Sequence, residues 1–222
     1  MLPITEADIF QKSRDFASRV SGTVFNYVSR GGQDNLSKIT ADHYISKLVE
    51  TRAEQLLVQR GVVFTEGHGV DWDIYTRGKS FDEDLLGRFP GHNFLSRIHV
   101  KSCLQQTSRT PSWVFQYSKD RTDEIFDKSS YPQPQPSAKI LQEPEMANVV
   151  VFGTCSPLTL EIGYQDTLSS AVAIHALLPV IQLFRLGLFQ PPNKVQLQNQ
   201  KRVVYWEDLS KMENRYEPTR TP

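Results

Sequence analysis

The chain has 222 residues, with 25 Lys plus Arg against 25 Asp plus Glu and a formal net charge of zero. That balance weighs against a dedicated, strongly basic nucleic-acid binder, since phosphate binding leaves an electrostatic footprint, but an acidic metal site can cancel a local basic patch. Hydrophobic residues at 39% and charged residues at 23% are those of a globular chain, long enough for one domain with decorations and a sizeable core.

The N-terminus, Met1-Leu2-Pro3-Ile4-Thr5-Glu6, lacks a basic region followed by an apolar one, so no signal peptide and a cytoplasmic location are expected. Residues 5–29 carry Ile9, Phe10, Phe16, Ala17, Val20, Val24, Phe25 and Val28 at helical spacing, and Gly31-Gly32 stops that helix. A second helix is expected over 41–60, from Thr40 as N-cap to Gly61 as the terminating glycine. Residues 62–65 begin a strand, and 66–69 turn the chain into Val70-Asp71-Trp72-Asp73-Ile74-Tyr75, whose alternation reads as another. Residues 77–94 read as a polar loop, with Asp82, Glu83 and Asp84 together. Strands are expected at 97–102 and, rich in aromatics, at 112–117. A short helix at 121–129 and a proline-bearing loop at 131–145 follow. Residues 148–153 form a continuous apolar run, as in a parallel strand buried on both faces. Residues 166–189 read as a long helix that Pro179 can kink, 201–206 as an edge strand and 211–222 as a polar tail. The expected division is an N-terminal helical segment (1–40), an α/β core (41–155), a C-terminal helix with edge strand (156–210) and the tail (211–222).

On a pleated strand, residues two apart point to the same face. Asp71 and Asp73 would then share one face of the first strand, and His99 and Lys101 one face of the second. On neighbouring strands these groups would converge where a divalent metal and a phosphate can be held. The arrangement resembles the PD-(D/E)XK nuclease superfamily, in which one strand carries an Asp and the next an acidic residue, an apolar residue and a Lys. Asp71 or Asp73 matches the Asp. Ile98-His99-Val100-Lys101 matches the second motif, with His in place of the acid. The opening helix of that core bears a metal-site Glu and ends in a Gly, which 45–61 matches with Glu50 and Gly61. The matching elements span residues 42–117, and the order helix, three strands, helix, strand is that of the superfamily core.

The resemblance implies an α/β, restriction-endonuclease-like mixed sheet flanked by helices. It also implies a metal-dependent nuclease, most readily a DNA endonuclease of a defence or mobile-element system. Magnesium or manganese would be the cofactor, and nucleic acid the partner. In that reading Asp71 is the principal metal ligand, Glu50 a second carboxylate and Asp73 a further candidate. His99 stands where the second acidic ligand belongs, and Lys101 orients or deprotonates the attacking water. Magnesium keeps several waters, so one or two carboxylates suffice, and an imidazole ligand tilts preference towards manganese. The alternative is a nuclease-like fold kept as a binding or assembly subunit after losing the acid at position 99.

Plainer readings stand beside these. Glu50 and Glu54, four apart on a helix, suit a solvated face, and Asp73 the solvent side of a strand. Lys101 is harder to dismiss, because so apolar a strand seldom carries an unpaired Lys. His68 and His92 lie in glycine-containing loops, and His175 reads as a satisfied core histidine. Cys103 and Cys155 are expected to be buried free thiols, two being too few for a four-cysteine zinc site. There is no P-loop, GxGxxG or HExxH pattern. The apolar run 171–189 contains His175, Pro179, Gln182 and Arg185, so no membrane span is expected. As a helix, 168–189 would be apolar nearly all round. A second copy of the chain is then the simplest cover for its outer side, and burial within the same chain the alternative.

Overall fold

The computed structural model describes residues 6–22, 36–65, 69–73, 84–105, 109–120, 122–161, 164 and 166–212. Two long helices come first. α1 (Glu6–Gly22) packs on α2 (Leu36–Gln59), burying Ile9, Phe10 and Ala17 against Tyr44, Ile45 and Leu48. α2 ends as its sequence requires. Gly61 takes φ +80°, a conformation that costs other residues a steric penalty, and its N–H reaches the Val58 carbonyl at 2.9 Å.

Five strands make a mixed sheet: β1 (Val63–Phe64), β2 (Leu85–Arg88), β3 (Ser96–Leu104), β5 (Asn148–Cys155) and β6 (Val172–Pro179), in spatial order β1-β2-β3-β5-β6. β1, β2 and β3 run antiparallel in turn, β3 and β5 are parallel, and β6 returns antiparallel to β5. β4 (Ser112–Gln116) and β7 (Lys201–Tyr205) form a separate antiparallel pair. Four short helices complete the set among the described residues: α3 (Ala138–Gln142), α4 (Leu168–Ala171), α5 (Val180–Arg185) and α6 (Trp206–Leu209). The fold is α/β, and none of its described helices is long and apolar enough to cross a membrane.

The layers follow from side-chain alternation along β5, which is buried throughout. Val149 and Val151 face α2, packing with Ala53, Leu57 and Ile98. Val150 and Phe152 face the β4–β7 pair, packing with Trp113, Phe115 and Val204. Gly153 lets the layers close. A Cβ there would sit 2.5 Å from Val49 Cγ1, and its carbonyl accepts the Trp113 indole N–H at 2.9 Å.

Several expectations need correction. Residues 70–73 are not strand, because the Asp71 carboxylate accepts the Asp73 N–H at 2.9 Å and folds the backbone into a local turn that competes with a ladder; Ile74 and Tyr75 lie outside the described residues. The expected loop at 77–94 instead contains β2, joined to β3 through a turn at Pro90-Gly91 with Gly91 at φ +79°. The long helix at 166–189 is instead α4, β6 and α5, and its all-round apolar character is that of a strand covered on both faces. With that helix goes the argument for a homodimer through it. The aromatic strand at 112–117 forms as β4, but outside the central sheet, and the described residues 122–129 hold, in place of a helix, isolated bridges at Thr122 and Phe126 and the start of a 3-10 turn at Lys128–Ser130.

Candidate active site

β2 begins at Leu85, opposite Ile98, and among the described residues no strand pairs with β3 on that side beyond this point. Asp84 fills the first vacated position. Its N–H donates to the Ile98 carbonyl at 3.1 Å, and its carboxylate accepts the Val100 N–H at 2.6 Å. A side chain thus replaces the next rung of the ladder and holds a carboxylate at the sheet's edge, between its two faces.

On the helix face of this edge stands Glu50. α2 turns it inward, and at 7% exposure it is no solvated-face residue. The Lys47 ammonium, also buried and one helical turn back, donates to it at 2.5 Å. Burial pushes the Glu50 carboxyl up to about 7; Lys47 opposes that, while Asp84 and then Asp71 add to it by like-charge repulsion. Asp84 is pushed upward for the same first reason, against the pull of Lys101, the Val100 N–H and Lys47, with Asp123 pushing further.

On the opposite face, alternation along β3 turns Arg97, His99, Lys101 and Cys103 towards the β4–β7 layer. The Lys101 ammonium lies 4.7 Å from the centre of the Phe115 ring and 3.5 Å from the Asp123 carboxylate, which also accepts the Gln116 N–H at 3.1 Å. His99 is buried on this face. Asp71 is close enough to raise Glu50, but its side chain is turned to Asp73 and its neighbour Trp72 is held against α1, edge-on to Phe16 and beneath the Lys12 ammonium at 4.3 Å. Asp73 is exposed. His175, expected as a satisfied core histidine on a helix, is instead half-buried on β6, 2.8 Å from the Thr154 hydroxyl and beside Trp113 and Trp206.

Of the residues expected at the site, Glu50 and Lys101 stand close to Asp84, Asp71 acts on Glu50 alongside Asp84, and His99 lies on the same face of β3 as Lys101. A signal for Asp84 was present: an acid before Leu85-Leu86 and a Pro-Gly turn reads as the first arm of a hairpin. Asp123, in a loop without pattern, offered none. Two carboxylates raised by burial, Glu50 further by Asp84 and Asp84 further by Asp123, form a spot that a cation would stabilise, and the donor set fits a hard ion that keeps most of its waters. Among the described residues, no group of three or more His, Cys, Asp and Glu is gathered closely enough to hold a metal by itself. Comparison with family models, with curated proteins and with solved structures finds no match to this chain.

Proposed function

We propose that the chain is a metal-dependent nuclease of restriction-endonuclease-like fold, hydrolysing phosphodiester bonds at the edge where β2 parts from β3. One observation carries the reading: a helix carboxylate, a strand-edge carboxylate and a strand lysine, on separate elements, meet around Asp84. The element order supports it, since within the central sheet α2, the antiparallel strands β1 to β3, the short helix α3 and the parallel strand β5 follow in the order the resemblance implies, with β4 inserted before α3 outside that sheet.

Asp84 and Glu50 would hold the ion, the Val100 N–H fixing the first carboxylate and Lys47 the second. A bound magnesium or manganese ion would supply Lewis acidity to the phosphate and lower the pKa of a coordinated water. Lys101 offsets phosphate charge and orients the attacking water, its ammonium being a compact point charge. Asp123 and the Phe115 ring hold Lys101 in place.

His99, standing where the resemblance places an acid, together with the zero net charge favours one rival, a nuclease-like subunit that binds without cutting. Cleavage of plasmid and of single-stranded DNA and RNA, with magnesium or manganese, tests the proposal. Cutting by the intact protein and its loss in Asp84→Asn supports it. Undiminished cutting in that variant removes the assignment, and no cutting under any condition leaves the rival.

A further inference from the structure

A cleft of about 830 Å³ opens beside Lys101, floored by the C-terminal half of β3 and walled by the N-terminal half of α2 and by β4. Its cations are Lys38, Lys101 and Arg109, against the single lining carboxylate of Asp42, which pairs with Lys38 at 3.4 Å, while Lys101 pairs at 3.5 Å with Asp123 outside the lining. In a chain whose charges balance at 25 each, this is a local positive bias in a recess. Between the cations the floor offers hydroxyls, with Ser46 and Ser102 in contact at 3.0 Å. Val114 on one wall is 44% exposed and Leu160 on the other 42%, so large apolar side chains face the same space.

We propose that this cleft binds one strand of nucleic acid, phosphates on Lys38, Arg109 and Lys101 and bases or sugars against Val114 and Leu160. The inference rests on the nuclease reading for its purpose, placing the scissile phosphate at the Lys101 end. A single strand fits where a duplex does not. The volume is within the range of small-ligand pockets, about 300–1,000 Å³, whereas duplex is read by elements that project into its grooves. Cations with hydroxyl donors engage phosphate oxygens irrespective of sequence. Because the described lining residues include no aromatic ring on which bases stack, sequence preference is weak.

Fluorescence polarisation of a labelled twelve-nucleotide strand, with chelator present to prevent cutting, tests this. The strand should bind more tightly than its duplex. Three phosphate contacts give a slope of log affinity on log salt of about −2. Lys38→Ala and Arg109→Ala should each weaken binding several-fold and flatten that slope by about 0.7. Arg185→Ala, an exposed residue outside the cleft paired with Glu145, should change neither. Equal or tighter duplex binding, or slopes unmoved by both cleft variants, overturns the cleft proposal even if the protein cuts DNA. Single-strand binding with these slopes in a protein that cuts nothing keeps the cleft and removes the nuclease reading.

Discussion

Strand β3 carries two charged clusters four residues apart, and they are built on opposite logic. At its start Arg97 donates to Asn148 at 2.9 Å and to Glu143, and Asn148 donates to the same Glu143 carboxylate at 2.6 Å. There burial raises the Glu143 carboxyl less than Arg97 and Asn148 lower it, so it ends below its ordinary range. At Lys101 the balance reverses, and Glu50 and Asp84 both end above theirs although lysines stand close by. The first cluster pins the parallel β3–β5 pair and is electrostatically content. The second holds carboxylates that the fold alone leaves uncomfortable, a pattern that marks functional sites more often than structural ones.

Substituting one cation from each cluster separates the two roles most sharply. Lys101→Met should reduce cleavage by about 100-fold or more, the scale of removing one preorganised charge-stabilising group, while shifting stability by less than about 1 kcal/mol. Arg97→Met should do the converse. It leaves cleavage within a few-fold and costs about 1–2 kcal/mol by stranding Glu143 and Asn148, read by denaturant unfolding. Equal effects of the two changes on both readouts would erase the distinction.

A smaller effect is expected from Glu50→Gln in chelated protein. The folded carboxyl is raised to about 7 from an ordinary 4.5. Its stability contribution is therefore complete below pH 4.5 and lost as pH rises through 7. The intact protein should weaken over that window, and the Gln variant should escape the loss, gaining about 1–3 kcal/mol at pH 8 and nothing at pH 4. Thermal melts across pH check this, and a variant with an unchanged pH slope would show that Glu50 is ionised without penalty. The smallest effect concerns the thiols. Burial pushes Cys103 and Cys155 each up to about 11, so neither should react appreciably with a disulfide reagent at pH 8 until the chain is unfolded. One fast equivalent in the native protein would contradict that.

The parts of this site that were legible in sequence had redundant signals. α2 ends at a glycine, β5 is an unbroken apolar run, and Lys101 stands out because it interrupts an apolar strand. Asp84 was missed because Asp71-Trp72-Asp73 alternates more cleanly than Leu85-Leu86-Gly87, and alternation cannot register that the Asp71 carboxylate folds back on its own backbone. Strand β6 was misread for a different reason. Covered by α2 on one face and the β4–β7 layer on the other, it is apolar on both, and a run apolar on both faces has no period to distinguish strand from helix. Asp123 reaches Lys101 from a loop, a contact that only the tertiary fold creates.

Calorimetric titration of manganese into the intact protein, Asp84→Asn and Asp71→Asn tests most directly whether the charges at the edge of β2 and β3 form a metal site. Saturable binding to the intact protein, abolished in Asp84→Asn and kept within a few-fold in Asp71→Asn, is the expected result. Binding that survives in Asp84→Asn but vanishes in Asp71→Asn, or no binding to the intact protein at millimolar metal, would contradict it.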